Sequence, residues 1–171
     1  MGLSTEEFKW LHGTLRNIEF MSFLSIGEVE RLTNYIFKKT FKKKSVICKQ
    51  GDKGDFFYLM YKGTVSIWSS LKGAKKTLIA TLNQGQYFGE MSLISGDTRN
   101  ATIIADTDIE LFLLFRNDFN ALVRDNTGLE QKIKEVISRR QAQREMELSH
   151  PSPGKSKGFF SKILGYLGFS S

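Results

Sequence analysis

Apolar and polar positions change rhythm twice along this chain. From Thr5 to Leu15 apolar residues recur at helical spacing behind Ser4 or Thr5, either of which can serve as N-cap, with glutamates in the first turn. Phe20, Phe23, Leu24, Ile26, Val29, Leu32 and Ile36 continue at mostly helical spacing, and Ser25 is placed to cap a second helix. From Tyr35 to Leu114 the texture turns to short β-type runs, at 45–48, 56–60, 64–68, 77–82, 102–105 and 109–114. Turn residues at 51–54, 62–63, 72–73 and 83–85 break these runs at intervals typical of a sandwich or barrel, and the glycines there read as tight turns with no chemistry of their own. The helical rhythm then returns. Asn117 is the expected cap of a short helix reaching Arg124, and Thr127 opens a longer one with Leu129, Ile133, Val136 and Ile137 on one face. The heptad pattern fades after Ile137, which argues against a long coiled coil. The pattern alone predicts a mainly β roll bracketed by helices.

One stretch carries chemistry. Between Gln86 and Thr102 stand an isolated acid, Glu90, and an isolated base, Arg99, separated by a short apolar segment that suits one or two helical turns. Gly85 and Gly89 precede the acid, and Gly96-Asp97 turns the chain before the base. Glycine lets a backbone approach a ligand closely and take positive φ. A helix start after glycine points free N–H groups outward, which suits an anion. Arg99 adds a planar, permanently charged fork matched to two phosphate oxygens. Glu90 is of the type that accepts hydrogen bonds from a ribose hydroxyl. Together they describe a ligand holding one phosphate and one ribose side by side.

The run Phe88-Gly89-Glu90-Met91-Ser92-Leu93, followed by Arg99-Asn100-Ala101-Thr102, resembles the phosphate-binding cassette of cyclic nucleotide-binding domains. Members include the ligand domains of the protein kinase A regulatory subunit and the catabolite activator protein. Upstream, Gly51 to Gly63 is similar to the family's glycine-punctuated strand pair, and the resemblance spans roughly residues 18 to 140. It implies an eight-stranded, jelly-roll-like β-roll with N-terminal helices, the cassette between two strands, and a last helix that closes over the base as a lid. It also implies a cyclic nucleotide ligand, cAMP or cGMP, with its phosphate on Arg99 and the backbone N–H groups from Glu90 through Met91 to Ser92, and its ribose on Glu90. Gly89 and Ala101 would line the cassette through their backbone. Two positions depart from the family: Thr98 stands where proline commonly precedes the arginine, and Asn100 stands where alanine accompanies cAMP or a hydroxyl often favours cGMP. Asn100 can donate and accept, which leaves the choice of nucleotide open. The apolar face of the last helix could serve as the lid, pack permanently on the roll, or meet a second copy in a homodimer. A degenerate roll, with Glu90 and Arg99 paired to neighbours and the tail and helices binding protein, is the alternative.

Composition narrows the classes. With 171 residues the chain has the size of one domain with a real core. Catalysis is not expected: His12 and His150 fall outside the roll, and no His, Cys or carboxylate grouping has metal-ligand spacing. One cysteine, Cys48, excludes an internal disulfide framework and suits a reducing cytoplasm. The N-terminus lacks the pattern of a signal peptide. The net charge of +7 concentrates in Lys38, Lys39 and Lys42–Lys44, read as the solvated face and turn of a strand, and in a basic tail. Too few residues follow the roll for a helix-turn-helix, which argues against a DNA-binding regulator. The expected organisation is a nucleotide-binding unit over 1–148, a flexible linker over 149–158 rich in breakers, and an amphipathic tail over 159–171. Phe159, Phe160, Ile163, Leu164 and Leu167 fall near one helical face, so the segment from Phe159 to Phe169 could dock on a protein effector, lie on a membrane surface, or fold back on the domain.

Overall fold

The structure, a computed structural model, describes residues 3–70, 76–90, 93, 96, 98–124 and 126–149. The chain starts with α1 (Thr5–Arg16), where Ser4 is the cap: its hydroxyl accepts from Glu7 N at 3.2 Å and Glu7 Oε2 accepts from Ser4 N at 2.8 Å. A 3-10 turn (Glu19–Met21) leads to α2 (Ile26–Thr33), where Ser25 and Glu28 form the same reciprocal box. The helical spacing that ran on to Ile36 stops short, because the chain turns at Asn34 and Ile36 opens β1 (Ile36–Phe41). Then come β2 (Val46–Cys48), β3 (Phe56–Lys62), β4 (Val65–Ser69), β5 (Thr77–Leu82), β6 (Tyr87–Phe88), β7 (Thr102–Ala105) and β8 (Ile109–Phe115).

Among the described residues these eight strands form two antiparallel sheets, ordered β1-β8-β3-β6 and β2-β7-β4-β5. The six runs expected from the sequence are strands. The two that pattern reading missed are β1, whose lysines hide its pairing with β8, and the two-residue β6. Strands β3 and β8 read as nearly continuous apolar runs because both of their faces are buried. Phe57, Leu59, Phe112 and Leu114 point to one core, shared with the helices. Tyr58, Met60, Leu111 and Leu113 point to the other, between the sheets. This sheet is therefore a wall with helices on one side and the interior of the roll on the other.

The edge strand β1 keeps its lysines outward, which protects an edge against stray pairing. Lys38 also makes ion pairs, reaching Glu7 at 2.5 Å and Glu110 at 3.3 Å, and just past the strand Lys42 reaches Asp108 at 2.9 Å. Beyond the roll, α3 (Arg116–Arg124) starts directly from β8, so Asn117 lies inside its first turn and is not its cap. Asn126 caps α4 (Thr127–Ser149), its Oδ1 accepting from Leu129 N at 3.2 Å, and its amide donates to Glu28 on α2. Leu129, Ile133 and Val136 bury the apolar face of α4 in the helical core, and Arg139 pairs with Glu19 of the 3-10 turn. In this structure that face packs on the helical layer. The side chain of Ile137, the 72–73 turn and everything from His150 through the tail lie outside the described residues. No helix among the described residues is long and apolar enough to cross a membrane.

The capping boxes make a pH prediction. The Ser25 backbone N–H holds the Glu28 carboxyl below its ordinary value of 4.5. A depressed carboxylate contributes stability above its unfolded pKa and loses it as pH falls through the folded one. Glu28→Gln should therefore flatten the loss of stability below about pH 4.5 in urea titrations at several pH values. At neutral pH, Ser25→Ala should cost ~1 kcal/mol.

Candidate functional site

Strand β6 delivers the chain to Gly89 with φ +87°, a conformation that side chains rarely adopt. A Cβ there would lie 2.7 Å from Phe56 O and would collide with Nη1 of Arg99. Glycine is thus required twice, for the turn and for the close approach of a guanidinium. The next residue, Glu90, is 1% exposed, and Arg99 is 6% exposed. Burying either charge carries a desolvation cost that must be offset locally.

The backbone of Arg99 is clamped on both sides. Its carbonyl accepts from Gly51 N at 2.8 Å, and its N–H donates to Asp52 O at 2.7 Å. Gly51 takes φ +90° to make this turn, and the Asp52 carboxylate accepts from Lys49 N at 2.8 Å to close it. Thr98 bridges to Lys53 across the same junction. The upstream glycine motif is therefore more than a hairpin turn: it docks the β2–β3 connection onto the end of the cassette. This corrects the reading of Gly51 as a turn without a part in the site.

The guanidinium is held from three directions. Nη2 donates to Phe56 O at 2.5 Å, Gly89 backs Nη1, and Cζ lies 5.3 Å from the ring centre of Tyr58. Burial pushes the Tyr58 phenol above its ordinary value, with the Arg99 charge pulling the other way. Cys48, in the same interior, is pushed up to about 11 by burial despite the same charge. It is an inert core thiol.

Among the residues expected from the sequence, the structure puts Gly89 against Arg99, buries Glu90 beside Gly89, buries Ala101 between the sheets and leaves Asn100 half-buried. Met91 and Ser92 lie outside the described residues. Leu93 is buried in the helical core with Phe20, Phe119 and Leu122, so one side chain of the cassette belongs to the helical layer rather than to the interior of the roll. Gly96, further along, lies against Arg116 at the start of α3. Reading the sequence missed Gly51, Asp52, Phe56 and Tyr58. The one signal available for Tyr58 was the alternation of β3, which sends 56, 58 and 60 to the same face.

Residues 38–126 match the family described as the cyclic nucleotide-binding domain, a little over half of the chain, and the chain belongs to that family. It is 32% identical over 125 residues to the cyclic AMP receptor protein of Thermus thermophilus, covering 73% of this chain and 58% of that protein. It is 29% identical over 152 residues to human cGMP-dependent protein kinase 2, covering 88% of this chain and 20% of the kinase. A solved chain described as cAMP-bound PfPKA-R (141–441) superposes with a TM-score of 0.71 at 25% identity, covering 88% of this chain and 52% of that one. The chain thus spans only part of the length of these relatives.

Gly89→Ala should destabilise the fold by at least ~1–2 kcal/mol from the left-handed backbone alone. Chemical denaturation checks this, and a loss of under 0.5 kcal/mol would contradict the close approach. Cys48 should resist an aromatic disulfide reagent at pH 8, where a pKa of about 11 leaves a thiolate fraction of ~0.1%. It should react fully once the chain is unfolded.

Proposed function

We propose that this chain is a regulatory module that binds a cyclic nucleotide, cAMP or cGMP, and reports the binding through its helical layer to a partner in trans. The observation that carries the reading is Arg99: a permanent cation at 6% exposure, its backbone clamped and its guanidinium laid against a glycine beside a buried carboxylate. A cyclic phosphate supplies one negative charge, opposite in sign to the Arg99 guanidinium. In this reading Arg99 takes two phosphate oxygens, Glu90 takes a ribose hydroxyl, and the backbone of Gly89, Glu90 and Ala101 lines the remainder, with Met91, Ser92 and Asn100 as further contacts. The names of relatives support both nucleotides, one being a cyclic AMP receptor and another a cGMP-dependent kinase.

The transmission follows from where Leu93 sits. It occupies the core that α1, the 3-10 turn, α2, α3 and α4 share. Any shift of the cassette on engaging a ligand is a shift of that core, and the ligand biases the helices by the difference in its affinity for the two arrangements. The proposed output is a protein effector in the cytoplasm, contacted through the helices or the segment from Phe159 to Phe169. Contact of that tail with a membrane surface, or of the last helix with a second copy, belongs to the same proposal.

Calorimetric titration of cAMP and cGMP into the protein and into Arg99→Ala is the test. Binding at micromolar or tighter affinity, weakened by ~2–5 kcal/mol in the variant, is expected. Absence of heat with both ligands would sink the reading and favour a roll that serves as a protein scaffold.

A further inference from the structure

The part of the roll that faces the guanidinium from inside is an aromatic stack. Tyr58 and Phe88 are register partners across β3 and β6, with ring centres 4.6 Å apart and planes within 10° of parallel. Phe56 flanks Tyr58 at 6.1 Å. Arg99 also stands against Tyr58, with Cζ 5.3 Å from the ring centre. Tyr58 is itself buried, so this cation–π contact is made away from water, where it is strongest. The chain leaves Phe88 straight into Gly89 and Glu90, so the same stack that supports the cation also supports the start of the cassette.

We infer that Tyr58, braced by Phe88, is the positioning residue for Arg99, holding the plane of its guanidinium in the direction from which a phosphate must be met. The inference rests on the reading of Arg99 as the phosphate contact and extends it. Phe56 O and the clamp by Gly51 and Asp52 fix where the side chain starts and where one nitrogen ends. The Tyr58 ring adds a third contact, its centre 5.3 Å from Cζ, which limits the rotation of the fork about its long axis. Tyr58 acts through Arg99, so its contribution must vanish for a ligand without a phosphate.

Two readouts test this. Affinities of Tyr58→Met and Tyr58→Phe are measured for the cyclic nucleotide and for the matching nucleoside, adenosine or guanosine. Tyr58→Met should weaken the cyclic nucleotide by roughly 5- to 30-fold, the span of a buried cation–π contact. It should leave the nucleoside within about twofold and have no further effect in an Arg99→Ala background. Tyr58→Phe, which keeps the ring, should restore most of the loss. Equal weakening of nucleotide and nucleoside, additive with Arg99→Ala, would overturn the inference and leave Tyr58 a packing residue. The second readout needs no ligand: the Nε–H resonance of Arg99 should move downfield in Tyr58→Met as the ring current is lost, and stay in place in Tyr58→Phe. An unmoved resonance in Tyr58→Met overturns the inference as well. If Tyr58→Met fails to fold, Phe88→Leu, which removes the brace, should shift the same resonance. Absence of binding in the wild-type protein overturns the functional reading, whereas the ligand-free spectra judge the contact between Tyr58 and Arg99 by themselves.

Discussion

The site depends on keeping one arginine charged, dry and fixed. Arg99 could not be buried by packing alone, since a guanidinium taken out of water must be compensated by oriented dipoles or by charge. The fold provides the dipoles from distant parts of the chain: the β2–β3 turn holds its backbone, the carbonyl of Phe56 meets its tip, and Gly89 makes room beside it. Two glycines in left-handed conformation make this geometry possible, one in each motif. The two motifs recognisable in the sequence are thus the two sides of one clamp, and their separation along the chain is the length of roll needed to bring them together.

The same constraint explains why the sheet carrying Tyr58 is buried on both faces. Its inner face holds the aromatic support of the arginine, and its outer face is the floor on which the helices pack. Leu93 of the cassette is buried in the helical core on that outer face. In the proposed function, a binding event inside the roll and a movement outside it would be connected through that side chain and through Gly96 against Arg116.

How much of this was legible in the sequence follows from the kind of signal each part leaves. Strands β3 and β8 were plain because burial on two sides makes long apolar runs, and the boxes at Ser4–Glu7 and Ser25–Glu28 are local motifs. Strand β1 was not, because Lys38 and Lys39 read as solvent-facing charge and only its register with β8 makes it a strand. Asn117 looked like a cap because nothing local shows that the helix leaves β8 without a break. Within the site, Glu90 and Arg99 stood out as isolated charges among glycines. The amide of Gly51 and the carbonyl of Phe56 left no trace, because a backbone group has no identity in a sequence and both act across more than forty positions. Tyr58 lay in between: its face was readable from alternation, its partner was not.

The most direct measurement of the central claim is residue-resolved amide hydrogen exchange, with and without saturating cyclic nucleotide. The amides of Gly51 and Arg99 are the two rungs of the clamp, and the account predicts that both exchange more slowly when the ligand is bound. It predicts as well a change in protection in α3 and α4, the helices whose core Leu93 enters. Saturation with ligand that leaves the Gly51 and Arg99 amides unchanged would contradict the account, because a nucleotide would then bind without engaging the arginine around which the fold is built.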